Sequence, residues 1–226
     1  MSSSVKELET SRTVKPVASR GTLFVVSSPS GGGKGTIIRH VLDVVKNLRY
    51  SVSYTTRAPR TGEANGREYF FVNRETFEEM VAAGEFLEWA CVHGNLYGTA
   101  KNQIIEDTAA GADIILEVDV QGAASVRQLL MDSVSIFILP PSYEVLRQRL
   151  IARGTDSPEE LELRLRNAPE ELKQYSAFDY VIINDEIDRA AAQLASIISA
   201  ERARCMRQEP LVREVINKFK SDSIID

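Results

Sequence analysis

The chain has 226 residues, 43% of them apolar and 26% charged, with a formal net charge of −5. That length suits one large domain with small inserts, and the composition is ordinary for a globular chain. The acidic balance excludes the broad positive field that nucleic-acid binding needs, and no apolar run approaches the roughly 18 residues of a membrane span, so neither nucleic acid nor membrane is expected as a partner.

Residues 1–20 are polar, mixed in charge and rich in Ser and Thr. They lack the apolar core of a secretory signal and read as a flexible N-terminal tail. The apolar run Leu23-Phe24-Val25-Val26 then predicts a strand over Leu23 to Ser27. The loop Ser28-Pro29-Ser30-Gly31-Gly32-Gly33-Lys34-Gly35-Thr36 follows it. The apolar positions Ile37, Ile38, Val41, Leu42 and Val45 carry helical spacing after that. Strand, glycine-rich loop and helix start in this order form a phosphate cradle, with backbone N–H groups turned inward and the helix N-terminus adding partial positive charge. Lys34 is placed to reach terminal phosphates. The loop departs twice from G-x-x-x-x-G-K-[ST]. Ser28 replaces the first glycine, and Gly35 stands where a hydroxyl belongs, so Thr36 must supply it.

Further along, Ser51 to Tyr54, Ile114 to Val118, Ser135 to Leu139 and Tyr180 to Ile183 read as strands. With Leu23 to Ser27 they make five parallel strands alternating with helices, an α/β sheet. Two stretches break that rhythm. From Glu68 to Gly98 come short extended pieces (69–72, 86–89 and 96–98) around a helix from Arg74 to Ala83 that stops at Gly84, a small mixed insert. Phe70, Phe71 and Trp89 would be its local core. From Pro141 to about Tyr175, Ser142 caps a helix carrying Val145, Leu146 and Leu150. Ser157-Pro158-Glu159-Glu160 opens a second helix after the turn 153–156. The pair forms a lid-like hairpin, and Pro169 should kink or restart the second helix. The last core helix carries Ile187, Ala191, Leu194 and Ile198, and residues 212–224 read as a short amphipathic helix or a frayed tail. Cys91 and Cys205 lack metal-ligand spacing and read as free, buried thiols in a reducing cytosol. His40 is expected on a helix surface, and His93 belongs to no metal or triad pattern.

The arginines are not scattered. Arg149 and Arg153 share a helix face and Arg164 lies on the partner helix, so their forks can converge on one polyphosphate. Arg57 and Arg60 follow a strand at its C-terminal end, where ligands of open α/β sheets bind. Two arginine groups flanking one phosphate loop suit two phosphorylated substrates meeting end to end.

The segment Ser51-Val52-Ser53-Tyr54-Thr55-Thr56-Arg57-Ala58-Pro59-Arg60 resembles the nucleotide-monophosphate segment of guanylate kinases. So do Phe86-Leu87-Glu88-Trp89-Ala90, Gly94 to Thr99, Leu116 to Gly122, Arg149 to Thr155 and Ile183-Asn184-Asp185, in the same order along residues 21 to 208. The resemblance implies a P-loop kinase, ATP:GMP phosphotransferase, with a five-stranded parallel core sheet, a mixed α+β insert for the nucleoside monophosphate and a helical lid. The implied limits are core 21–50, 100–140 and 176–208, GMP insert 51–99 and lid 141–175, followed by a tail at 209–226. Arg57, Arg60, Tyr69 and Tyr97 match the residues that clamp the GMP phosphate. Ser53, Glu88, Thr99 and Asp119 match those around guanine. Lys34, Arg149, Arg153 and Arg164 match ATP-phosphate and transition-state residues, alongside the loop Ser30, Gly31, Gly32, Gly33, Gly35 and Thr36. Asn184 matches a position near adenine, or else caps the helix that follows it. Mg²⁺ is implied as the ATP counterion, with Thr36 and Asp119 as candidate ligands, direct or through water. A cytoplasmic enzyme is implied, with a homo-oligomer left open. Some guanylate-kinase-like domains are binding modules that have lost ATP residues. This chain retains Gly33, Lys34, Thr36 and the three lid arginines, which favours the enzyme.

Overall fold

The computed structural model describes residues 20–92, 94–154 and 157–222. The N-terminal tail up to residue 19, His93, two residues of the 153–156 turn, and residues 223–226 lie outside them. In chain order the elements are β1 (Leu23–Ser27), α1 (Lys34–Val44), β2 (Leu48–Tyr50), β3 (Ser53–Thr55), β4 (Tyr69–Phe71), α2 (Arg74–Ala82), β5 (Phe86–Val92) and β6 (Asn95–Ala100). Then come α3 (Lys101–Ala109), β7 (Asp113–Glu117), α4 (Val120–Leu129), β8 (Val134–Leu139), α5 (Tyr143–Arg153), α6 (Pro158–Leu172), β9 (Tyr180–Ile183), α7 (Ile187–Arg202) and α8 (Cys205–Asp222).

Five parallel strands form the main sheet in the order β2-β7-β1-β8-β9. β1 is central and wholly buried. Its alternate residues feed two cores. Phe24 and Val26 pack with Ile37, Ile38 and Val41 of α1 and with Leu194 and Ile198 of α7. Leu23 and Val25 pack with Ile104 of α3 and Ala123 and Val126 of α4. Helices on both faces of a parallel sheet explain why β1 reads as an unbroken apolar run.

The fifth strand is not the expected one. Ser51 to Tyr54 does not join the main sheet. Leu48–Tyr50 does, pairing with β7 at the edge (Leu48 opposite Asp113). The edge place tolerates an exposed Arg49 and so leaves no apolar run to read. Ser53–Thr55 instead starts a second sheet, β4-β3-β6-β5, with β3 and β4 parallel and the other pairs antiparallel. Only residues 51–52 separate the two sheets along the chain. Aromatic stacking fills the second sheet's underside: Phe77 on Phe86 at 4.5 Å and Tyr54 on Phe70 at 4.8 Å. Trp89 is outside that core, 48% exposed.

Ser142 caps α5 by accepting the Val145 N–H at 3.2 Å, and Ser157 with Glu160 forms the capping box of α6. α5 and α6 pack through Leu146, Leu150 and Ala168. α6 runs through Pro169 without restarting and tightens to a 3₁₀ turn at Lys173–Ala177. Residues 205–222 form one helix, so most of the expected C-terminal tail is ordered as α8. Both cysteines are free but exposed, not buried filler. His40 sits on the surface, with Nδ1 3.5 Å from an Asp188 carboxylate oxygen. Among the described residues no helix is long and apolar enough to cross a membrane.

Candidate functional site

At the end of β1 the chain makes the glycine-rich loop. Gly31 and Gly33 have φ of +85° and +90°, a region side chains rarely adopt. Gly33 is also the N-cap of α1 and offers no side-chain cap, so the helix start stays open to an anion. A Cβ on Gly33 would lie 2.3 Å from Asn184 Nδ2, so this glycine is required twice over. Ser28, in place of the first glycine, is buried and holds Lys34: Nζ donates to Ser28 Oγ at 3.2 Å and Ser28 O at 3.4 Å.

The α5–α6 hairpin rests on this loop. Arg164 Nη1 donates to Ser30 Oγ, and the Ser30 N–H donates to Glu171 Oε2 at 3.2 Å. Arg149 Nη2 donates to Asn184 O at 2.9 Å, and Asn184 Nδ2 donates to Gly32 O at 2.8 Å. Asn184 is therefore a brace for the loop. It is not the cap of α7, whose N-cap is Glu186. Arg149 Nη1 and Asn184 Oδ1 are buried without a hydrogen-bond partner among the described residues. Unmet buried polar groups in a cleft point to a ligand that would satisfy them.

The opposite wall belongs to the second sheet. A register shift between Phe86 and Glu88 gives β5 one extra residue against β6, and Glu88 then lies directly opposite Thr99. Thr99 Oγ1 donates to Glu88 Oε1 at 2.5 Å, and Ser53 Oγ is 3.4 Å from Thr99 Oγ1. Asp119 is the N-cap of α4 and accepts the Gly122 N–H at 2.9 Å. A Cβ on Gly122 would meet Glu88 Oε2 at 2.9 Å and Asp119 Oδ1 at 3.2 Å, so two carboxyls converge over that glycine. Glu88 is 7% exposed. Burial, helped by the Asp119 charge and opposed by the Thr99 hydrogen bond, pushes its carboxyl from 4.5 up to about 7.

One cleft of about 630 Å³ joins both walls. It brings together the loop residues Ser30 to Thr36, Arg149, Arg153 and Arg164 of the α5–α6 hairpin, Asn184 just after β9, and Ser53, Arg60, Tyr69, Glu88, Tyr97 and Asp119. Arg57 and Thr99 stand behind its wall. Arg57 is held by Glu63 and lies over the Tyr69 and Phe71 rings, at 5.5 and 5.8 Å from their centroids. Burial pushes the Tyr69 hydroxyl above the usual phenol range, so it stays a proton donor.

Two acids in the cleft escaped the sequence reading. Glu171 lies on the lid helix. Glu117 ends β7 beside the loop: a Cβ on Gly35 would be 3.4 Å from its Oε2, which accepts from the Tyr50 hydroxyl at 3.4 Å. Its signal was available, an acid closing a buried strand next to β1. Asp119 sits with Glu88, whereas Glu117 sits with Gly35. Among the described residues no group of three or more His, Cys, Asp and Glu side chains could hold a metal. A hydroxyl and isolated carboxylates fit a hard ion that arrives with phosphate and keeps part of its water shell.

Cationic groups on two facing walls, with a glycine-rich loop as the floor between them, place the fold and cleft in the class of P-loop kinases. Residues 20–201 match the family model for guanylate kinase. A guanylate kinase of Symbiobacterium thermophilum is 50% identical over 201 residues, covering 89% of this chain and 95% of the relative. One from Nitrosomonas europaea is 50% identical over 197 residues, covering 87% and 98%. The crystal structure of guanylate kinase from Anaplasma phagocytophilum superposes with a TM-score of 0.72 at 36% identity, covering 85% of this chain and 94% of that one. The chain belongs to the guanylate kinase family.

Proposed function

We propose that this protein transfers the γ-phosphoryl group of ATP to GMP, or dGMP, giving ADP and GDP. The observation that carries the reading is the buried Glu88–Thr99–Ser53 group sharing one cleft with the phosphate loop. Guanine offers N–H donors at N1 and N2 and an acceptor at O6. The Glu88 carboxylate takes the donors, and a hydroxyl beside it serves O6. Adenine would leave that carboxylate facing a lone pair, a buried mismatch of about 1–3 kcal/mol or more.

The attacking oxygen belongs to an already anionic phosphate, so no strong general base is needed. Arg60, Tyr69 and Tyr97 orient the acceptor phosphate, with Arg57 behind them. Lys34, Arg149, Arg153 and Arg164 take up charge as it moves between the two nucleotides. Mg²⁺ would supply further charge neutralisation at the ATP phosphates, with Thr36, Glu117 and Asp119 as the oxygens available to it. In this reading residues 51–99 form the acceptor insert and 141–175 the lid, on a core of 21–50, 100–140 and 176–208, in a cytoplasmic enzyme.

ADP release with ATP and a panel of GMP, dGMP, AMP, CMP and UMP tests the reading. GMP and dGMP should lead the panel. Faster turnover of another acceptor overturns the guanine assignment, and a folded but inactive protein would be a binding module instead.

A further inference from the structure

The carboxylate of Glu63 fastens two arginines at once. Arg57 Nη2 donates to both of its oxygens at 3.0 Å, and the Arg60 N–H donates to Oε2 at 2.8 Å. The Glu63 N–H returns a bond to Arg60 O at 3.0 Å, which closes the turn. Arg57 spends a further donor on Ala58 O at 2.7 Å. The Arg57–Glu63 pair is well sheltered, with side chains 13% and 17% exposed. Yet neither residue lines the cleft, whereas Arg60, Tyr69 and Tyr97 do. The carboxylate is therefore behind the phosphate-facing wall and not in the place of a phosphate.

We propose that Glu63 is the positioning residue for the acceptor's phosphate group, setting the Arg57 guanidinium and the Arg60 main chain at one fixed spacing behind the two tyrosines. This rests on the function proposed above. A planar guanidinium held by two oxygens of one carboxylate loses rotational freedom before any ligand arrives. With Arg57 fixed over the Tyr69 ring, the wall that meets the phosphate is preorganised, which lowers the cost of binding. Loss of Glu63 loosens the Arg57 guanidinium and the Arg60 main chain without touching Glu88 or the phosphate loop. The effect must fall on the phosphate, not on the base and not on ATP.

The test compares wild type with Glu63→Gln and Glu63→Asp in turnover and in calorimetric binding of GMP and guanosine. Glu63→Gln should raise KM for GMP about tenfold, the size of one charge-assisted bond, with kcat within about twofold. KM for ATP and the affinity for guanosine, which lacks the phosphate, should not change. Glu63→Asp keeps the charge with a shorter reach and should give a smaller rise, so the answer survives if the glutamine variant folds poorly. An unchanged KM for GMP, a lower one, or an equal loss of GMP and guanosine affinity overturns the proposal. If wild type prefers another mononucleotide, the guanine reading fails. The Glu63 effect is then read on that nucleotide against its nucleoside.

Discussion

Glu88 lies between a hydroxyl that donates to it and a second acid, Asp119, that repels its charge. A carboxyl raised from 4.5 to about 7 stabilises the folded protein fully below pH 4.5 and loses that contribution as pH rises through about 7. A shift of that size corresponds to about 3 kcal/mol. Glu88→Gln should therefore gain stability relative to wild type as pH rises from 5 to 8, measured by denaturant midpoints; a constant difference contradicts the buried-acid reading. Guanine's donors favour the ionised form, so GMP binding should release a proton near neutral pH, read calorimetrically in buffers of different ionisation enthalpy. The glutamine variant keeps the phosphate's own titration, should lose this release, and should lose preference for GMP over AMP. A second prediction concerns Gly33. Gly33→Ala places a methyl 2.3 Å from Asn184 Nδ2 at a φ of +90°. It should reduce ATP affinity by at least tenfold while GMP binding persists, since two unfavourable effects of roughly 1–3 kcal/mol each fall on the loop.

At the scale of elements, the phosphate loop, three of the insert's strands and both caps of the α5–α6 hairpin were legible because each rests on local chemistry: clustered glycines before a lysine, short aromatic runs, a Ser just ahead of a helical pattern. Other features were not local. Leu48–Tyr50 is a strand only because β7 offers an edge, and Ser51 to Tyr54 looked more strand-like without belonging there. The register shift that turns Glu88 towards Thr99 depends on the partner strand. Glu171 meets the loop across 141 residues, which no spacing rule reveals. α8 was half-legible: its spacing fitted a helix, but its anchor is long-range. Arg207 Nη1 donates to Thr22 Oγ1 at 2.7 Å, and its Nη2 lies 3.6 Å from the buried Glu201 carboxylate. A chain ending at Arg204 should keep its kcat and both KM values, because no α8 residue lines the cleft. It should melt a few degrees lower, for a loss of about 1–2 kcal/mol. A fall in turnover would mean that α8 supports the site.

For the whole molecule, the two walls differ in how firmly they are set. The lid already touches Ser30 and packs Leu146 and Leu150 against Gly31, where a Cβ would sit 2.9 Å from them. The second sheet joins the main one through residues 51–52 and the direct passage from β6 into α3, with Leu87 packed into the core and β5 lying against α4. Closure is then expected to be mostly a swing of the acceptor wall. X-ray scattering should show the radius of gyration falling when GMP and a non-hydrolysable ATP analogue are both bound, and little change with the analogue alone. A full decrease with the analogue alone would assign the motion to the lid.

The bracing of Ser30, Gly31 and Gly32 by the lid and Asn184 has one more outcome. Damage confined to the smaller sheet should leave the donor half intact as a receptor with no onward delivery. Such a variant would still sequester adenine nucleotide, acting as a buffer for it while producing nothing.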